Sequence, residues 1–124
     1  MLNFAGDVFV FGTDQAGSHT SDDARAAVKY HDAKPGQGEG RQGRSYGIVV
    51  RDESGQPLPL EAIGQNVQTF LLYAAGKDYT KFNVRKIACD MEVYGDREIA
   101  PLFRGAPPNC FLARGWRRFN GENQ

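Results

Sequence analysis

Several stretches of this chain carry residue types and spacings suited to ligand chemistry. The first runs Phe9-Val10-Phe11-Gly12-Thr13-Asp14-Gln15-Ala16-Gly17-Ser18-His19-Thr20-Ser21-Asp22-Asp23, an apolar run, a small polar loop and the start of a helix. A helix N-terminus presents unpaired N–H groups and partial positive charge, which suits a phosphate. Asp22 and Asp23 occupy that first turn, where they stabilise the helix and repel an anion. Neither G-x-x-x-x-G-K-[ST] nor G-x-G-x-x-G is present there. The second stretch, residues 36–43, holds Gly36, Gly38, Gly40 and Gly43 with Arg41, and Arg44 follows. Closely spaced glycines let backbone amides approach a ligand, and Arg41 and Arg44 could pair with phosphate. The alternative is a surface loop that needs glycine for its turns. The third stretch, Cys89-Asp90-Met91-Glu92, offers a carboxylate that could accept from a ribose or activate water, against a turn aspartate and a small buried thiol.

His19 and His31 are the only histidines. Their separation of twelve gives no i, i+4 metal pair, so no metal site is expected. His19 is a candidate ligand contact or general base on the first loop. Arg114-Gly115-Trp116-Arg117-Arg118-Phe119 mixes bases with aromatics, and could stack on nucleobases or dock its rings on the core. No Ser-His-Asp or Cys-His order fixes a nucleophile.

These residues need elements to position them. Residues 8–11 (VFVF) read as a buried strand. Asp22–Tyr30 reads as a short helix capped by Ser21, Asp22 or a Thr20–Asp23 box. The glycine segment is expected to be a loop, because glycine weakens helix and strand interiors. Ser45–Arg51 is a second strand. Leu60–Ala75 is the clearest helix: Ile63, Val67, Phe70, Leu71 and Ala74 make one stripe, with Pro59 suited to N1 and Gly76 to C′. Residues 81–88 predict a third strand, 96–103 a short helix capped by Asp96, and 109–113 a fourth strand. Alternation of strands and helices implies a three-layer α/β/α domain with a mostly parallel or mixed sheet over residues 1–119, and a frayed tail over 120–124. Ligands of such sheets bind beyond the carboxyl ends of the strands. The candidate loops are therefore 12–20, 51–56 and 89–95.

The chain has 124 residues, enough for one core. It has 15 basic and 15 acidic side chains and a formal net charge of zero. That argues against a strongly basic nucleic-acid binder. Charge is nonetheless blocked, with 4 bases against 1 acid in residues 34–51 and again in 101–124. Cys89 and Cys110 form no C-x-x-C, so neither a disulfide scaffold nor zinc is expected. No apolar stretch approaches a membrane span, and the first residues lack the basic region of a secretory signal. The expected compartment is reducing cytoplasm.

The motifs resemble a family of small non-structural proteins encoded by bacteriophages and prophages. Its pattern appears here as Phe11-Gly12-Thr13-Asp14, then Gly36-Gln37-Gly38-Glu39-Gly40-Arg41-Gln42-Gly43-Arg44-Ser45-Tyr46-Gly47-Ile48, Leu58-Pro59-Leu60, Ile87-Ala88-Cys89 and Glu98-Ile99-Ala100-Pro101-Leu102-Phe103. The match covers roughly residues 7–119. A more distant likeness, through the first loop, Tyr94-Gly95 and the element order, is to macrodomains, which bind ADP-ribose. That likeness implies a macrodomain-like topology. It sets Gly12, Thr13, Asp14, Gly17 and His19 beside the adenosine and distal ribose, and Cys89, Asp90, Tyr94 and Gly95 around the diphosphate. Departures are Asp14 for asparagine, Ser21, Asp22 and Asp23 for glycines, and Asp90-Met91-Glu92-Val93 for a glycine-rich turn. Each adds bulk or negative charge where a phosphate would approach. The resulting expectation is a nucleotide-binding module in a bacterial host cell that sequesters a host-defence signal, needs no cofactor and binds neither nucleic acid nor membrane. The competing expectations are an inhibitor that docks on a host defence protein, and an ADP-ribosyl hydrolase using Asp14 or Asp90.

Overall fold

The structure, a computed structural model, describes residues 7–89 and 93–122. Strand β1 (Asp7–Asp14) has the alternation that a two-sided sheet requires. Val8 and Val10 join the larger core, while Phe11, with Phe9 beside it, joins a smaller one on the opposite face. Helix α1 (Asp22–Tyr30) covers the smaller core with Ala24 and Ala27. Ser21 is its cap, accepting from the Ala24 amide at 3.2 Å.

The glycine segment departs from the loop expectation. Gly40–Gln42 forms strand β2, antiparallel to β3 (Ser45–Arg51), with Gln42 opposite Ser45. Gly43, at φ +60°, makes the reversal between them. A strand this short at a sheet edge tolerates glycine because tertiary hydrogen bonds hold it. Gln42 is 1% exposed. Its Nε2 donates to the Gly38 carbonyl at 2.9 Å and to that of Gln37 at 3.1 Å. Its Oε1 accepts from the Lys34 amide at 2.8 Å.

Helix α2 (Leu60–Ala75) buries the expected stripe against β1, β3 and β4 (Lys81–Val84). Pro59 caps it from one position earlier than N1, and Gly76 ends it at φ −88° rather than in the left-handed region. β4 stops at Val84, four residues short of expectation, because the chain turns: the Ile87 amide bonds Arg85 O at 2.8 Å and Ala88 takes φ +66°. Helix α3 (Asp96–Ile99) is capped by Gly95, whose amide donates to Glu98 Oε1 at 2.7 Å. The expected helix then tightens into a 3-10 turn over Ala100–Phe103 at Pro101, which has no N–H to continue the α ladder. β5 is only Cys110–Phe111, and α4 is Trp116–Phe119.

Strand order is β2-β3-β1-β4-β5, with β2 alone antiparallel. The chain is thus a small α/β protein with a five-stranded mixed sheet and four helices among the described residues. From β1 it moves one way through α1 to β3, then back across β1 through α2 to β4. Right-handed crossovers in opposite directions place α1 and α2 on opposite faces. α2, α3, the 3-10 turn and α4 share the larger core, where Trp116 lies 5.2 Å from Phe103. Asn120 Nδ2 bonds Ala100 O at 2.8 Å and Glu122 accepts from Gly105 N at 2.8 Å, so residues 120–122 pack onto the domain they were expected to trail. No helix among the described residues is long and apolar enough to cross a membrane.

Gly47 on β3 faces this glycine segment. A Cβ there would run into the Gly38 carbonyl and approach Gln42 Nε2 at 2.9 Å. Replacing Gln42 by alanine strands a buried amide and two carbonyls, and should lower stability by about 3 kcal/mol. Gly47→Ala should cost a similar amount, roughly 2–3 kcal/mol, through overpacking. Urea unfolding of both variants checks this, and a change within experimental error would show that the segment is loosely held.

Candidate functional site

β1 sends its connection toward β3, while β4 sends its own toward β5. The strand order therefore switches direction between β1 and β4, and a crevice forms at their carboxyl ends. A cleft of about 510 Å³ lies there. Gly12, Thr13 and Asp14 come from the end of β1, Thr20 through Asp23 from the start of α1, Val50 and Arg51 from β3, and Lys86, Ile87 and Ala88 from the turn after β4. A Cβ on Gly12 would meet Ile87 Cβ at 3.3 Å and Val50 Cγ2 at 3.4 Å, so a side chain there presses on both neighbours.

The cleft's charged groups are largely matched. Asp22 pairs with Arg25 at 2.7 Å and Asp23 with Arg85 at 3.3 Å. Lys86 pairs with Asp96 at 3.2 Å. Partial burial opposes ionisation of Asp14, but the Ser18 hydroxyl (2.7 Å) and amide (2.8 Å), the Gly17 amide and the His19 ring outweigh it and lower its pKa. A carboxylate held ionised in this way accepts hydrogen bonds well and takes up protons poorly. Trp116 Nε1, donating at 3.0 Å, is the main cause that lowers Asp96, and Lys86 and the Cys89 thiol add to it.

Of the residues expected to form the site, Gly12, Thr13 and Asp14 line the cleft. Gly17 and His19 stand behind its wall. A Cβ on Gly17 would meet Gln37 N at 2.5 Å. His19 is buried, with Nε2 2.9 Å from Lys34 O and Nδ1 2.8 Å from Thr13 Oγ1. A carbonyl can only accept, so Nε2 carries the proton and Nδ1 accepts from Thr13. Both ring nitrogens are thereby engaged inside the protein. Cys89 directs its thiol to Asp96 Oδ1 at 3.7 Å. Tyr94 donates to Leu58 O at 2.8 Å, and Gly95 caps α3. Asp90, with Met91 and Glu92, lies outside the described residues.

Arg41 and Arg44 are remote from the cleft lining. Arg41 donates to Gly43 O at 2.6 Å and Tyr73 Oη at 2.9 Å. Arg44 donates to Asp32 at 2.9 Å and Tyr30 O at 3.1 Å. In the basic-aromatic segment, Trp116 is buried and Arg117 bonds the carbonyls of Pro107 and Cys110 at 2.9 Å. Burial pushes the Cys110 thiol up to about 11, far from thiolate chemistry at neutral pH. Among the described residues no group of three or more His, Cys, Asp or Glu is placed to hold a metal ion. Sequence reasoning passed over Lys86, Ile87 and Ala88 as part of a strand. The signal that could have found them is the rule that ligands gather where strands end.

No family model, curated protein or solved structure matches the chain. The likeness to phage proteins and macrodomains rests on the motifs alone.

Asp14 and Asp96 both have pKa values below the ordinary 3.8. Stability contributed by a depressed carboxylate is present above its unfolded pKa and lost as pH falls through the folded one. The melting temperature should therefore hold from neutral pH down to about 5 and drop below about 4. Asp96→Ala should cost about 1 kcal/mol at pH 7, discounted for the exposure of this carboxylate, and flatten the acid drop. Calorimetry across pH measures both, and an acid limb of unchanged steepness in the variant would show that Asp96 is not one of its sources.

Proposed function

We propose that this chain is a binding module for a nucleotide-like small molecule of the ADP-ribose class, acting without turnover. The observation that carries the reading is the coincidence of the polar cleft with the switch point of the sheet. Its volume falls in the range of small-molecule sites, roughly 300–1,000 Å³. Asp14, Asp22 and Asp23, with the hydroxyls of Thr20 and Ser21, supply acceptors for ribose hydroxyls and base amino groups. Lys86 and Arg51 bring positive charge from β4 and β3 for a phosphate.

The first turn of α1 carries Asp22 and Asp23, so the phosphates turn away from that helix end and toward Lys86. Hydrolysis is disfavoured by the same geometry. Asp14 is held ionised, His19 has no nitrogen to spare, and neither reaches a nucleophile. In the phage setting to which the motifs point, such a module would sequester a nucleotide signal of host defence.

Isothermal titration with ADP-ribose, AMP and adenosine tests the reading. Saturable heat is expected, and Lys86→Gln should weaken ligands with phosphate about tenfold while leaving adenosine unchanged. Absence of both heat and thermal shift with all three ligands would remove this reading.

A further inference from the structure

The end of the sheet opposite the cleft carries exposed apolar surface that ligand binding does not use. A groove of about 550 Å³ lies at the amino ends of β4 and β5, between the end of α2 and the prolines before β5. Tyr79, Pro107, Pro108 and Phe111 line it, together with Ala75. Tyr79 is 98% exposed and Phe111 52%. Leu72, 68% exposed, lies three residues before Ala75 and extends the apolar surface along α2. Aromatic side chains this exposed, gathered on one patch, mark an association surface rather than ordinary scatter.

We propose that this patch is the two-fold interface of a homodimer. Its rim is what selects a second copy as the occupant. Asp78 and Lys81 both line the groove, one of each sign, three residues apart. Asp7 adds a second acid in register with Lys81. A rim carrying both signs has no preference for a strongly acidic or strongly basic partner. Turned on itself by a two-fold axis, it sets Asp78 of one copy against Lys81 of the other, twice. The chain's net charge of zero leaves no long-range repulsion between copies.

The contact is made by side chains rather than by extending the sheet. Pro107 and Pro108 precede β5, and prolines there blunt the edge against strand addition. Because the patch lies at the amino ends of the strands, both clefts of the dimer stay open to solvent.

Sedimentation equilibrium of the full chain over a wide dilution series tests this. A reversible monomer–dimer equilibrium is expected. Tyr79→Ser with Phe111→Ser should weaken association by about tenfold or more. Both residues are exposed, and circular dichroism confirms that the variant folds. Asp78→Lys and Lys81→Asp should each weaken the dimer, and the double exchange should restore it, since each copy then offers the reversed pair. A monomer at every concentration overturns the proposal. So does a dimer indifferent to Tyr79 and Phe111, or a double exchange that fails to restore association.

Discussion

The buried amide of Gln42 reaches three backbone groups that no regular ladder serves. It donates to Gly38 O and Gln37 O and accepts from Lys34 N. Leaving these groups unpaired in the interior would cost far more than the modest net gain of pairing them. The amide therefore dictates the path of residues 34–42, and with it the outer support of the cleft. Gly38 passes so close to the first loop that a Cβ would meet Asp14 O at 2.5 Å. His19 completes the lock by bridging Thr13 to Lys34 O. The loop after β1, the natural place for ligand contact, is thus braced from behind by the segment that sequence pattern marks as the most open.

A second brace acts at the other wall. Asp96 accepts from Trp116, pairs with Lys86 and receives the Cys89 thiol, so one carboxylate ties the turn after β4 to α3 and α4. Arg85, the neighbour of Lys86, pairs with Asp23 at the start of α1 and lies 5.7 Å over the Phe9 ring. Consecutive side chains after β4 thus bind α1 and α3, the helices whose N-termini flank this turn. Ala88 follows them at φ +66°, a conformation costly to a residue with a Cβ and found where surroundings over-determine the backbone.

The two ends of the sheet divide the work. Carboxyl ends gather hydroxyls, carboxylates and cations around a polar hollow. Amino ends of β4 and β5 gather aromatic and proline surface. Mutual neutralisation near the cleft means that a ligand must exchange its own polar groups for ion pairs already formed, which favours a mixed ligand with hydroxyls and phosphate over a simple anion.

Local pattern alone settled the larger elements. The stripe on α2, the alternation in β1 and the Ser21 cap follow from periodicity and short-range hydrogen bonding, which a few consecutive residues specify. From the element order came the parallel sheet and the loops at its carboxyl ends, including Gly12, Thr13 and Asp14. Only the tertiary structure decided what individual polar side chains do. His19 meets Lys34, Tyr94 meets Leu58, Arg41 meets Tyr73 and Trp116 meets Asp96. Each partner lies 15 to 36 residues away along the chain, and no local rule names it. The glycine segment shows the same limit: intrinsic preference argues for a loop, but Gln42 and the adjoining β3 strand hold part of it as β2, because long-range hydrogen bonds outweigh the weak propensity of a few residues.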